Sequence, residues 1–277
     1  MFKDIKQVMK DSVLYGIGNV AVKLVGFILI PLYTDAEYFS TADYGLMGLL
    51  EVTSQILIAV MGLSLYSGLI RWYWDAEYRD KQKTIFFTTL LFTILTSLCI
   101  GSVLWLNVGE LSALLVQQEG YSLGGELPYI LQLLILTSML GAVVEVPQNL
   151  LRLQRKPIYY SLTNIVRLFV TLVLTIYFTI SLHRGVSGVY EAQLVGIVIQ
   201  LLMVLPLVIK NSSCRVDRRC TIQLLAYSYP LVFPAIVGSL LTVFDRYIIN
   251  HFQGLDDVGF YSLGYKVGNT LKVFIVT

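Results

Sequence analysis

The sequence predicts an all-α fold, a polytopic bundle of membrane-spanning helices. Three observations predict it. The 277 residues are 56% hydrophobic and only 14% charged, whereas soluble chains run closer to a quarter charged. The apolar residues gather into runs of roughly 20 or more, long enough to cross a hydrocarbon core of about 30 Å. The bases, finally, are sorted between alternate connections. The N-terminal tail carries Lys3, Lys6 and Lys10, and the second connection Arg71, Arg79, Lys81 and Lys83. The fourth carries Arg152, Arg155 and Lys156, and the sixth Lys210, Arg215, Arg218 and Arg219. The odd-numbered connections hold one base, Arg184, among Asp35, Glu37, Asp43, Glu110, Glu119, Glu126, Asp256 and Asp257. Such sorting orients an inner-membrane protein and places the N-terminus in the cytoplasm.

Seven spans are expected at residues 13–33, 44–70, 84–106, 127–151, 158–182, 186–209 and 224–249, with an eighth from about Val258. Backbone groups in lipid must be satisfied internally, and these runs lack the alternation of barrel strands, so they are helices. The first is too long for the apolar core of a signal peptide and lacks a small-residue cleavage pattern. Pro128 and Pro157 fall in first turns, where proline is tolerated. Pro147, Pro230 and Pro234 fall inside spans and should kink them. Trp72, Trp74 and Trp105 sit near span ends, as interfacial anchors do. Cys99, Cys214 and Cys220 suit no common zinc spacing and are expected as free thiols.

A short repeat organises the chain. Asp43-Tyr44-Gly45-Leu46 opens the second span and Asp257-Val258-Gly259-Phe260 opens the eighth, six spans later. It suggests a cytoplasmic segment at 1–11, a six-helix lobe at 12–220, and the first two helices of an incomplete second lobe at 221–277. Internal repeats of this kind are common in secondary transporters.

Function is sought among the charges inside the spans. Lys23, Glu51, Glu145, Arg167, Glu191, Asp245, Arg246, Lys266 and Lys272 lie in or at the edges of apolar runs. A charge at mid-bilayer costs about 2.5–3.5 kcal/mol on insertion scales, so these side chains should face the bundle or a wet cavity. Helical spacing gathers them into stripes. Ser12, Gly16, Asn19, Lys23 and Gly26 share a face of the first span, and Tyr44, Gly48, Glu51, Gln55, Gly62 and Tyr66 a face of the second. The fourth presents Ser138, Gly141, Glu145, Gln148, Asn149 and Arg152, and the fifth Tyr160, Asn164, Arg167, Thr171 and Thr175. For the small residues alone, a packing seam explains the stripe. For Lys23 and Arg167, deep in their spans, a hydrophilic cavity explains it better. Glu51 and Glu145 are either counter-ions to these bases or coupling groups, and Arg246 beside Asp245 either joins the cavity or snorkels to the interface.

Other signals fail on context. Gly16-Ile17-Gly18-Asn19-Val20-Ala21 fits a dinucleotide fingerprint but lacks the strand that must precede it. Asp35-Ala36-Glu37 resembles the acidic pair of membrane glycosyltransferases, in a connection of only about ten residues. Asn211-Ser212-Ser213 is a glycosylation sequon on the cytoplasmic side, where it would be inert. No Walker A pattern indicates ATP use. The basic connections follow from topology and do not imply nucleic acid. No cofactor and no metal are expected.

A family resemblance lies in Asp11-Ser12-Val13-Leu14-Tyr15-Gly16-Ile17-Gly18-Asn19, entering a span that ends Ile30-Pro31-Leu32-Tyr33-Thr34. Asp43-Tyr44-Gly45, Tyr229-Pro230, Asp245-Arg246-Tyr247 and Val258-Gly259-Phe260-Tyr261-Ser262 extend it along the chain. The sequence resembles Wzx-type polysaccharide biosynthesis flippases of the multidrug/oligosaccharidyl-lipid/polysaccharide exporter superfamily. Members usually have twelve to fourteen spans, so the chain looks like an N-terminal portion of one.

The resemblance implies a MATE-like bundle, no enzymatic activity, and a cargo of undecaprenyl-pyrophosphate-linked oligosaccharide flipped across the bacterial inner membrane. Polysaccharide polymerase and export proteins would be further partners. Lys23 and Arg167 are the expected ligands of the pyrophosphate, with Arg246 and Lys266 behind them. Glu51, Glu145 and Asp245 are expected as counter-ions or coupling groups. The rival readings are a multidrug cation antiporter of the same superfamily, a membrane glycosyltransferase or polymerase, and a non-transporting scaffold of polysaccharide assembly.

Overall fold

A computed structural model describes residues 29–115, 125–213 and 215–276. Lys23 and the polar stripe at 12–26 lie outside the described residues. Within them the chain is helical: α1 (Ile30–Tyr33), α2 (Thr41–Gly62), α3 (Leu65–Trp72), α4 (Gln82–Leu106) and α5 (Val108–Leu115), then α6 (Leu127–Leu153), α7 (Pro157–Ile176), α8 (Gly185–Asn211), α9 (Arg218–Phe252) and α10 (Leu255–Val276). Six helical stretches among the described residues are long and apolar enough to cross a membrane. The chain is an all-α, multi-pass membrane protein.

Local sequence sets the helix ends. Ser40 and Asp43 form a capping box at α2, the Ser40 hydroxyl accepting from the Asp43 amide at 3.1 Å and the Asp43 carboxylate from the Ser40 amide at 2.8 Å. Pro128 and Pro157 sit in the first turns of α6 and α7. α7 is sided. Leu162, Ile165, Phe169, Val173 and Ile176 are exposed along one face, as lipid contact requires, and Asn164, Arg167 and Thr171 lie between them on the other.

One expected span differs from the structure. Residues 44–70 do not form one helix, because Leu63 and Ser64 both take left-handed backbone, at φ 45° and 51°. α2 ends there after 22 residues, or about 33 Å at 1.5 Å per residue, enough to cross the bilayer. α3 continues as a separate short helix. The third connection also contains more structure than a loop, since α5 occupies its beginning.

The even-numbered connections meet at one end of the bundle. Lys81 Nζ pairs with Asp217 at 2.6 Å, Arg219 with Glu77 at 3.0 Å, and Gln154 donates to Tyr73 and Asn211. At the opposite end Glu191 accepts from Tyr129 and pairs with Arg184, while Tyr38 stacks on His183. The sole base of the odd-numbered connections is thus neutralised where it stands. An apolar cluster including Leu49, Ile130 and Val189 fills the acidic half, and another including Phe86, Leu150 and Leu207 fills the basic half.

Candidate functional site

α2 packs along α10 at near backbone contact. A Cβ on Gly45 would lie 1.9 Å from the Leu255 carbonyl oxygen, and one on Gly259 would lie 2.5 Å from that of Thr41. Glycine is required at both positions by the close approach. Beside this contact, α2, α7, α8, α9 and α10 enclose a cavity of about 740 Å³. Arg167 enters it from α7, Arg246 from α9 and Lys266 from α10, with Glu51 of α2 as the one acid among the described lining residues. Three bases against one acid leave the wall net positive.

The two arginines are held by neutral groups. Arg167 donates to the Gln200 side-chain oxygen at 3.1 Å, and the Gln200 amide donates to Asn164 at 2.9 Å. Arg246 is 7% exposed, donates to the Gly48 carbonyl at 3.0 Å, and lies over the Tyr265 ring at 5.2 Å. Its carboxylate neighbour does not pair with its guanidinium: Asp245 accepts from the Arg246 backbone amide and from the Tyr261 hydroxyl. Arg246 therefore lies inside the bundle, not at its surface. Lys266 sits 5.7 and 6.0 Å from the ring centres of Tyr33 and Tyr44. Aromatic faces and carbonyl oxygens orient cations without discharging them. The arginines thus keep their charge available to an anion.

The remaining candidates are distributed differently. Glu51 faces the bases but forms no ion pair with a described residue. Glu145 lies apart from them, on a second cavity of about 510 Å³ between α2, α3, α6 and α9. Much of the α6 stripe packs: Ser138 bonds Ser54 at 3.0 Å, Gln148 donates to Thr163 at 2.9 Å, and Arg152 donates to the Tyr160 hydroxyl and lies over its ring. Gln200 and Gln193, both near the Arg167 side of α8, escaped the sequence reading. Their signal was there, two amides seven residues apart on one face of an apolar helix. Among the described residues, no three His, Cys, Asp or Glu side chains gather as a metal site would need.

A family model described as polysaccharide biosynthesis protein matches residues 8–277. The chain belongs to that family. No curated protein sequence matches this chain. Solved structures do. The MATE multidrug transporter DinF-BH is similar at a TM-score of 0.76 and 15% identity, over 97% of this chain and 61% of that one. MATE in the straight conformation is similar at 0.71 and 16%, over 98% and 62%. A MOP superfamily transporter from Pyrococcus furiosus, whose reversed binding-pocket polarity suggests a different function, is similar at 0.68 and 16%, over 96% and 61%. At such identities the likeness is one of fold, and the fold is MATE-like. The chain spans about three fifths of the length of these transporters.

Proposed function

We propose that this chain supplies the anion-binding lobe of a transporter for polyprenyl-pyrophosphate-linked oligosaccharide. The observation that carries the reading is the convergence of Arg167, Arg246 and Lys266 on one cavity opposed by Glu51 alone among the described lining residues. A pyrophosphate carries two or more negative charges and cannot cross apolar lipid unaided. Arginine meets it with a planar fork and lysine with a compact point charge. The polyprenyl tail stays in the bilayer while the headgroup occupies the cavity; Lys23, the further base expected from the sequence, lies outside the described residues. The protein's part is binding and movement, with no bond made or broken.

The same reading takes residues 12–220 as the first lobe and 221–277 as the opening of the second, and the reciprocal glycine contact between α2 and α10 supports it. The end bearing the Lys81–Asp217 pair faces the cytoplasm of a bacterial inner membrane, on the strength of its loop bases. Transport proceeds from that side to the other as the lobes rock, and polysaccharide polymerase and export proteins receive the cargo for O-antigen or related lipopolysaccharide.

One observation favours a second reading. Tyr33, Tyr44, Tyr190 and Tyr265 line the cavity together with Glu51, a set able to take an organic cation as a multidrug antiporter would. Cavity polarity separates the two, as it does in suggesting a different function for the Pyrococcus furiosus transporter. The test is direct binding to the purified protein in nanodiscs, with farnesyl pyrophosphate and tetraphenylphosphonium as probes. The pyrophosphate should bind, and Arg167→Ala or Arg246→Ala should weaken it about tenfold or more, as loss of a charged hydrogen bond implies. Binding of the cation alone, weakened by Glu51→Gln, would reverse the assignment.

A further inference from the structure

The second cavity differs from the first in every respect that decides a ligand. It lies farther along α2, and Gln55 borders both. Glu145 is the only charged side chain among its described lining residues, and the other polar groups there are neutral oxygen donors: Gln55, Ser64, Tyr66 and Ser239. No described residue hydrogen-bonds or ion-pairs with the Glu145 carboxylate. Ser239 donates its hydroxyl proton to the Ala235 carbonyl at 3.0 Å and Ser64 to that of Leu231 at 3.4 Å. Each hydroxyl, its proton so engaged, has lone pairs left for a cation.

The backbone at this cavity is strained in the same place. Leu63 and Ser64 hold left-handed conformations that are unfavourable for residues with side chains. They interrupt a membrane helix beside Glu145, whose carboxylate oxygen lies 3.9 Å from where a Gly62 Cβ would sit. Across the cavity, Pro234 of α9 cannot donate to the Pro230 carbonyl. Interrupted helices with a nearby carboxylate are how backbone oxygens become available to an alkali cation inside a membrane.

We propose that this cavity is a sodium site, with Glu145 as its anionic ligand and the hydroxyl and amide oxygens of Ser64, Ser239 and Gln55 completing the shell. One carboxylate balances one monovalent charge. A divalent ion would remain uncompensated in low dielectric. The site is separate from the basic cavity, so cation and anionic cargo bind together without competing, while the shared α2 face links them. Ion binding does not depend on the cargo assignment. Its use in driving movement rests on the transporter reading.

Thermal unfolding of the purified chain in detergent, without cargo, tests the binding. NaCl is titrated against choline chloride at constant ionic strength, with KCl as the size control. Sodium should raise Tm in a saturable way and potassium should do so less. Glu145→Gln should abolish the sodium response, and Ser239→Ala should move its midpoint at least threefold higher. If Glu145→Gln does not fold, Glu145→Asp supplies the same comparison through a shifted midpoint. A wild type indifferent to sodium, or midpoints unchanged in the Glu145 and Ser239 variants, would overturn the site. Because no cargo is present, neither result bears on the pyrophosphate reading.

Discussion

Gly45 and Gly259 meet back to back, and they do so reciprocally. Gly45 presses on the carbonyl of Leu255, four residues before Gly259, and Gly259 presses on the carbonyl of Thr41, four residues before Gly45. The short repeat in the sequence, Asp43-Tyr44-Gly45 and Asp257-Val258-Gly259, is therefore a contact between its own two copies. A pair of equivalent helices crossing about a local two-fold produces this arrangement. It also sets the depth of the cavity, because Gly48, one turn on, accepts from Arg246 and is packed by Ser262.

Gly45→Ala and Gly259→Ala should each destabilise the protein by about 1–3 kcal/mol, the usual cost of overpacking where backbone must move. Gly264→Ala is the control. A Cβ there meets nothing within 4 Å, and removing a helical glycine should be neutral or stabilise by about 0.5–1 kcal/mol. Unfolding in detergent measures all three. Equal tolerance at Gly45 and Gly264 would show that the close α2–α10 contact is not a constraint.

Gln200 is 1% exposed and stands between Arg167 and Asn164. Gln200→Leu removes the guanidinium's neutral acceptor, leaving a charged donor without its partner at a cost of roughly 1–3 kcal/mol. Farnesyl pyrophosphate affinity should fall about tenfold through misplacement of Arg167. Gln200→Glu should lower it further, since a paired arginine is neutralised, and should bring no gain in stability, because the carboxylate cannot donate to Asn164 as the amide does. If both variants bind as the wild type does, the relay does not position Arg167.

Much of this was legible in the chain. The spans could be placed because length and polarity decide membrane insertion before tertiary packing acts. Arg167 could be singled out because an arginine deep in an apolar helix has few structural excuses. The break at Leu63 and Ser64 could not. It falls in an apolar run without proline, and its surroundings, Ser64 bonded to the Leu231 carbonyl and Gly68 against Leu224 and Ser228 of α9, are contacts between residues far apart in the chain. Glu145 could be recognised as an intramembrane acid, but not its distance from the bases, because a stripe on one helix says nothing of which neighbour it meets. Gln200 was hidden for the opposite reason, as an uncharged residue whose importance comes from the arginine it faces.

Asp217 joins two connections at the basic end and caps α9, accepting from the amides of Arg219 and Cys220. The hydrogen bond from Lys81, followed by that from the Cys220 amide, holds its carboxyl below the ordinary value of 3.8. A depressed folded-state value stabilises fully above the unfolded one, and that stabilisation is lost as pH falls through the folded value. The Tm advantage of wild type over Asp217→Asn should therefore be complete at about pH 6 and close below about pH 4. Because the pair is exposed, about 0.5 M salt should also narrow it. Asp217→Ala should fall below Asp217→Asn at every pH, since asparagine still caps the helix and alanine does not. A pH-independent gap between wild type and Asp217→Asn would assign the residue to capping alone.

The orientation of the bundle can be read by labelling, since its two ends are chemically distinct. Lys81 belongs to the cluster with Asp217, and Glu110 lies on α5 in the connection that follows the next span. With the bases retained in the cytoplasm, Glu110→Cys should react with an impermeant maleimide on intact cells, and Lys81→Cys only after the membrane is opened. The background needs Cys99, Cys214 and Cys220 replaced, so that the introduced cysteine is the sole thiol. Lys81→Cys also breaks the pair to Asp217, so Arg79→Cys in the same connection serves as a second reporter. Labelling of Lys81→Cys and Arg79→Cys from outside, with Glu110→Cys protected, would invert the bundle and reverse the proposed direction of transport. Labelling of both ends from outside would mean a mixed population, in which the loop bases do not fix the orientation of this chain.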